Sequence, residues 1–227
     1  MLLNNKINHF NYHRKPIEIS GMKIIKIPGF VRKIYANRTW NFFCDEPTVF
    51  LTFDDGPDPI VTDWVLQYLE GQQIKATFFC IGNNVHKYPQ VFQRIKSEGH
   101  AFGNHSMHHE NGYKTNDDAY FKSVQEANEL IDSPLFRPPY GKITYRQVKF
   151  LKKNYKIIMW SWLSYDFDES FPIQKITQRG LKRIKSGDVL VFHDNVKSFE
   201  RLKVLLPEVI AYCKSQGFQL APIASIC

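Results

Sequence analysis

Short apolar runs alternate along this chain with longer stretches whose apolar residues recur three and four positions apart. The run 48–53, Thr-Val-Phe-Leu-Thr-Phe, is almost wholly β-branched, aromatic or aliphatic, which predicts a strand buried on both faces. Val61, Trp64, Val65, Tyr68 and Leu69 then follow a helical period, which predicts a helix over 61–72. The same reading gives strands at 75–81, 101–104, 135–136, 156–162, 189–192 and 218–221. It gives helices at 89–98, 117–131, 144–154, 173–185 and 200–215, with Asn116 or Asp117 capping the third helix. Seven strands alternate with six helices. That order is the signature of parallel strands joined by crossover helices, in a barrel or an open sheet.

Upstream of this pattern the chain reads differently. Residues 1–21 are polar and without period, and are expected to form a disordered extension, with Met22 an alternative start. Residues 22–47 form a basic N-terminal segment in which Pro28 and Gly29 rule out one long helix over 22–40. Residues 48–227 make a single domain of ordinary size. The formal charge of +8 is uneven: residues 1–40 carry +7, leaving +1 for the rest. A near-neutral domain argues against a nucleic-acid partner. The stretch Met22-Lys23-Ile24-Ile25-Lys26-Ile27 through Lys33 mixes bases with apolar residues. It would suit weak contact with an anionic membrane surface, or packing beneath the domain, which is the favoured reading. No apolar core follows Met1-Leu2-Leu3, and no run is long enough to span a bilayer, so a cytoplasmic, at most membrane-peripheral, location is expected. The cysteines at 44, 80, 213 and 227 are widely spaced and are expected to be free thiols, with Cys80 in the core.

The polar residues that matter stand at the ends of the apolar runs. Asp54 and Asp55 leave the first strand, and His105 and His109 follow the third. Arg137 with Pro138-Pro139-Tyr140-Gly141 follows the fourth, Trp160 through Asp168 the fifth, and His193-Asp194 the sixth. Chemistry drawn from five strand ends favours the barrel over the open sheet. A His-x-x-x-His pair on a helix, or on a turn leading into one, presents both rings to one side. Two histidines and one carboxylate form a catalytic metal set with open positions. His108 points elsewhere and is a bystander. Adjacent side chains diverge, so one of Asp54 and Asp55 can bind metal while the other serves as a base.

Taken in order, 52–57, 105–109, 137–141 and 192–193 resemble the motifs of the polysaccharide deacetylase family, the NodB-homology domain of carbohydrate esterase family 4. The likeness covers about residues 48–222. It implies an α/β fold, a distorted (β/α)7-type barrel. It implies a metal-dependent hydrolase that removes N-acetyl groups from an amino sugar or polysaccharide and releases acetate. By that resemblance Asp54 is the general base, and Asp55, His105 and His109 hold a divalent metal, zinc first, with cobalt or others tolerated. Arg137 orients the base, the Tyr140 backbone N–H helps hold the oxyanion, and His193 is the general acid. Val191 stands where the family has a Leu lining the acetyl-methyl pocket. The fourth motif departs from the pattern, with Leu163 for an Asp and Phe167 for a Trp. Asp166 keeps the role of polarising His193, and Asp168 is the competing candidate. Tyr113, Tyr145 and Trp162 could stack on a sugar ring or be ordinary core or surface residues. The alternatives are an O-acetyl carbohydrate esterase using the same site, or a carbohydrate-binding barrel without activity.

Overall fold

The first strand sets the frame. In a computed structural model that describes residues 24–223, β1 (Thr48–Asp54) is buried at every position. Its residues nonetheless divide by alternation. Val49, Leu51 and Phe53 face outward into the largest apolar cluster, under α2 (Val61–Gln72) and the C-terminal helix. Phe50 faces inward with Phe79, Leu135, Ile158 and Val189. Thr52 and Asp54 share that inner face, so the strand delivers a carboxylate to the inside of the barrel at its C-terminal end. The expected extension 1–21 lies outside the described residues.

The chain continues through β2 (Thr77–Cys80), α3 (Gly82–Lys87), α4 (Pro89–Ser97), β3 (Ala101–Asn104), α5 (Asp117–Ile131), β4 (Leu135–Phe136) and α6 (Tyr145–Leu151). It ends with β5 (Lys156–Ile157), β6 (Trp162–Leu163), α7 (Ile173–Lys175), β7 (Val189–His193), α8 (Phe199–Ser215) and β8 (Gln219–Ala221). A short α1 (Gly29–Ile34) precedes them all. The strands are parallel in the order β5-β4-β3-β2-β1-β7-β6, and β8 pairs with the start of β1 beside β2. Helix starts follow local rules. The Asn116 side chain accepts from Ala119 N–H ahead of α5, and Thr144 and Gln147 form a capping box at α6.

The stretch expected as one strand over 156–162 is two short ones, and the reason closes the barrel. Its first half pairs with β4, where Ile158 N–H donates to Phe136 O at 2.8 Å. Its second half pairs with β7, where Ser161 N–H donates to Val189 O at 3.1 Å. Between the halves, Met159 N–H donates to Thr39 O at 2.7 Å, so the N-terminal segment fills the gap. The same segment lines the outer edge of β6 through Lys26 and Trp162. Counting 156–163 as one ring position gives the seven-strand, distorted barrel.

Three helix expectations need correction. The 173–185 stretch is helical only over α7, then widens to a π turn at Ile176–Gly180 and tightens to a 3-10 turn at Leu181–Arg183. There the Trp162 indole N–H donates to Gly180 O at 2.9 Å and takes a carbonyl from the ladder. Helix α6 stops at Leu151 rather than 154, and α3 was not expected at all. Trp162 is fully buried, which removes it from the sugar-stacking candidates, whereas Tyr113 and Tyr145 are exposed. Cys44, Cys80 and Cys213 are free thiols, with Cys80 buried. No helix among the described residues is long and apolar enough to cross a membrane.

Candidate active site

Parallel register brings the strand-end residues together. Asp54 of β1 lies opposite His193 of β7 and Phe79 of β2, and Cys80 of β2 lies opposite Asn104, next to His105. Asp55 then leaves the alternation with a positive φ of 84°. Its backbone carbonyl accepts from the Asn84 side chain at 2.8 Å. That kink is why two neighbouring carboxylates, which would point apart on a straight strand, serve one site.

Asp55 Oδ1 faces two imidazoles, 3.1 Å from His109 Nε2 and 3.6 Å from His105 Nε2. One ligand atom from each of the three residues lies within 4.8 Å of the others. The 105–109 segment is a loop, not a helix: Ser106 and His109 both have positive φ, and Asn104 Oδ1 accepts Ser106 N–H at 2.8 Å. The loop turns both rings inward and leaves His108 exposed.

The donor chemistry fits a divalent cation. His105 Nδ1 lies 2.7 Å from Arg137 O, which fixes that nitrogen as the donor and leaves the Nε2 lone pair free. Burial pushes the His105 pKa down to about 4, so the ring is neutral at pH 7. His109 Nδ1 is engaged by the Tyr140 hydroxyl at 3.1 Å. Asp55 Oδ1 is buried without a hydrogen-bond partner of good geometry, while Oδ2 accepts from Asn195 Nδ2 at 2.7 Å. Burial alone would raise the Asp55 pKa, but the His109 contact and the nearby His193 charge hold it well below the usual range. An orphaned carboxylate oxygen facing the Nε2 atoms of two imidazoles is what a two-His, one-Asp metal centre requires.

Asp54 sits beside this cluster and is not part of it. It is 4% exposed, and Arg137 Nη1 donates to its Oδ1 at 2.6 Å. Arg137 itself is fully buried. It donates to Thr52 Oγ1, Ile158 O and Met159 O, and its guanidinium lies 4.0 Å from the centre of the Phe79 ring. Burial lowers its pKa, offset by Asp54, from a starting point so high that it stays charged.

Across the site, His193 Nδ1 lies 2.8 Å from Asp166 Oδ1. Burial would lower the His193 pKa, yet the Asp166 charge and hydrogen bond outweigh it and raise it to about 9. Phe167 presents an edge-on contact to the imidazole at 4.9 Å. Asp168 instead accepts from Ser170 in a turn, and Asp166 is the aspartate in contact with His193. Leu163 is a β6 residue paired to Val191, and Val191 is buried on the inner face below His193. Tyr140 has φ 59° and is 59% exposed. The hydrogen bonds of its turn run from Gly141 to Pro138 and from Lys142 to Pro139, leaving the Tyr140 N–H out of them.

Two positioning residues, Asn84 and Asn195, escaped sequence reasoning, and a third, Asp194, stood out only as a polar strand end. Asn195 holds Asp55 from the end of β7, Asn84 holds its backbone, and buried Asp194 accepts from Gly56 N–H at 3.0 Å and Thr62 Oγ1 at 2.5 Å. A Cβ at Gly56 would fall 2.1 Å from Asp194 Oδ2, so only glycine fits the turn after the aspartate pair. Asn195 and Asp194 adjoin His193, and their polarity at a strand end was the available signal.

A parallel barrel that gathers an arginine-paired aspartate, an aspartate-paired histidine and a two-His, one-Asp cluster at the C-terminal ends of its strands has the layout of a hydrolase. Comparison with known proteins agrees. The family model described as Polysaccharide deacetylase matches residues 44–156. The chain is similar to two Bacillus cereus proteins, each named peptidoglycan-N-acetylglucosamine deacetylase. One is 30% identical over 83% of this chain and 92% of its own length; the other is 34% identical over 78% and 67%. Among solved structures, a peptidoglycan N-acetylglucosamine deacetylase in complex with a naphthalenyl-N-oxidanyl-benzamide superposes with a TM-score of 0.80 at 29% identity. It covers 88% of this chain and 97% of that one. This chain belongs to the polysaccharide deacetylase family.

Proposed function

We propose that this protein removes N-acetyl groups from an N-acetylated amino sugar of a polysaccharide, with N-acetylglucosamine as the sugar, and releases acetate and a free amine. The observation that supports it most is the placement of an arginine-paired aspartate and an aspartate-paired histidine on either side of one ligand cluster. Arg137 donates to Asp54 on one side, and on the other His193 is held protonated by Asp166.

Asp55, His105 and His109 would hold the metal, and zinc suits two nitrogens and one oxygen. When bound, such an ion lowers the pKa of water towards roughly 7 and polarises the acetamide carbonyl. The chain's own residues do the rest. Asp54 takes the proton of the attacking water, and the buried Arg137 fixes its orientation through a charge-assisted bond. The Tyr140 N–H donates to the tetrahedral oxyanion, a preorganised donor that need not reorient during reaction. His193 gives its Nε2 proton to the departing sugar amine, which breaks the C–N bond without expelling an amide anion. Val191 borders the space for the acetyl methyl group. The catalytic unit is the 48–227 domain, and the 22–47 segment completes its barrel. N-acetylglucosamine is proposed because the similar Bacillus cereus proteins are named for it.

The test is acetate release from matched N-acetyl and O-acetyl substrates: peptidoglycan fragments, chito-oligosaccharides, a lipid- or nucleotide-linked N-acetylglucosamine, and O-acetyl xylan. Release from N-acetyl substrates is expected, and the arm that reacts fastest separates a wall polymer from a cytoplasmic precursor. Release from O-acetyl xylan alone would move the protein to the esterase class.

A further inference from the structure

The charge sum of +1 beyond residue 40 conceals how the fold groups the charges. Asp54, His105, Arg137 and His193 define one pole of the barrel. The loops that lead into the strands define the other, about 20 Å away along the seven residues of β1. Two cavities open there, on either side of the N-terminal segment. One, of about 630 Å3, is lined by Lys26, Arg32, Lys182, Arg183 and Lys185. Its one acid, Asp188, is already taken, bonded to Lys26 Nζ, to Ser161 Oγ and to the Lys185 N–H. The other, of about 520 Å3, is lined by Arg38, Lys152, Lys153 and Lys156, with no acid among the described residues that line it. Lys182, Arg183 and Lys185 are exposed and make no ion pair among the described residues.

Large apolar side chains stand out of the segment between these cavities. Phe43 is 92% exposed, Phe30 55% and Ile34 50%. Their place is fixed. Arg32 Nη1 donates to Asn41 Oδ1, Phe42 N–H donates to Gly187 O, and Lys156 Nζ lies 5.2 Å from the centre of the Phe42 ring. Phe43 therefore emerges where the two basic loops meet, with Asp45 and Glu46 the acids that follow it. Residues 24–27 pack along the edge of β6 rather than beneath the barrel: Ile25 is buried and Lys26 is paired. The exposed part begins at α1.

We propose that this pole is a docking surface for an anionic lipid bilayer. The side chains of Lys152, Lys153, Lys182, Arg183 and Lys185 meet lipid phosphates, and Phe30, Ile34 and Phe43 enter the interface. Exposed cations around projecting aromatic and aliphatic groups match the two parts of such a surface, charge outside and hydrocarbon beneath. A soluble polyanion would use the cations and leave the three apolar side chains without a role. Docking at this pole leaves the opposite one facing away from the bilayer, open to a polymer. The inference does not depend on the reaction at that other pole.

The test is co-sedimentation of the full chain with vesicles of phosphatidylglycerol and phosphatidylcholine (3:7) and of phosphatidylcholine alone, in low and high salt. The chain is expected to bind the anionic vesicles at least tenfold more tightly, with the difference shrinking in high salt. The triple variant Lys182→Glu, Arg183→Glu, Lys185→Glu is expected to lose at least tenfold. Phe30→Ser with Phe43→Ser is expected to weaken the binding that remains in high salt. Thermal melts monitored by circular dichroism check that each variant is folded. Equal binding to both vesicle types, or wild-type binding by the folded triple variant, would overturn the proposal. So would retention on immobilised polyphosphate without vesicle binding, which would assign the surface to a soluble polyanion.

Discussion

Asp166 grips His193 at two points: Oδ1 lies 2.8 Å from the ring Nδ1, and Oδ2 accepts the His193 backbone N–H at 2.7 Å. The carboxylate thereby fixes both the charge and the direction of the imidazole, leaving Nε2 to face the site. Burial without that partner would favour the neutral ring.

The pH dependence follows from this pair. With its pKa raised to about 9, His193 is protonated at neutral pH and loses its proton as pH rises through that value. Turnover is expected to fall on the alkaline side near pH 9. Asp166→Asn is expected to move that limb towards or below the ordinary histidine value and to cost about 10²-fold at pH 7. The stability from the pair has the same sign. It is complete below the unfolded histidine pKa, near 6.5, and is lost as pH rises through about 9. Rate profiles of the two proteins check both limbs, and an unmoved limb would remove His193 as the acid.

Arg137 ties Asp54 to the barrel wall, and neither side chain reaches water freely. Arg137→Met leaves a buried carboxylate unpaired and is expected to destabilise the protein by about 3–5 kcal/mol. Urea unfolding measures it. Turnover should fall more steeply than stability predicts, because Asp54 also loses its orientation. A variant as stable as the parent would mean that the pair contributes little.

Metal affinity should grade with distance from the ion. His105→Ala removes a ligand atom and is expected to cost more than 10²-fold in affinity. Asn195→Ala removes the bond to Asp55 Oδ2 and is expected to cost about 10–100-fold. Competition with a coloured chelator reads both without substrate. Unchanged affinity in Asn195→Ala would show that Asp55 needs no support from β7.

Gly56 has no room for a methyl group against Asp194. Gly56→Ala is expected to displace Asp194 from the Gly56 N–H and Thr62, shift the adjacent aspartates, and lower both thermal stability and turnover. Asp194→Ala added to Gly56→Ala relieves the clash and should recover part of the stability. A Gly56→Ala protein with wild-type turnover would show that the turn can yield.

Much of this was legible because the strands are short, buried and parallel. A run such as 48–53 has few alternatives, and its polar terminus points to the chemistry. What escaped the sequence depends on contacts between distant segments. Nothing local in 156–162 indicates that one half pairs with β4 and the other with β7. Where the widened turn at Ile176–Gly180 ends, the Gly180 carbonyl is taken by the indole of Trp162, eighteen residues away. Helix α3 is hidden in Gly-Asn-Asn, poor helix formers with only Gly82 and Val85 buried. The 105–109 spacing resembles a helix, but positive φ at Ser106 and His109 achieves the same convergence. Asn195 is an ordinary loop residue until the fold brings it to Asp55. The basic pole was invisible to a charge sum, since only the fold gathers 152–156 and 182–185 around the N-terminal segment.

The most direct test of the central claim is a metal titration of acetate release. The full chain is stripped by chelation, and zinc is added back in steps with a chito-oligosaccharide or peptidoglycan fragment as substrate. Release is expected to vanish on stripping, return in proportion to zinc and level off at about one ion per chain. Asp55→Asn should show no recovery over the same range. Undiminished release by the stripped protein, or full recovery by Asp55→Asn, would contradict a metal centre built on Asp55, His105 and His109.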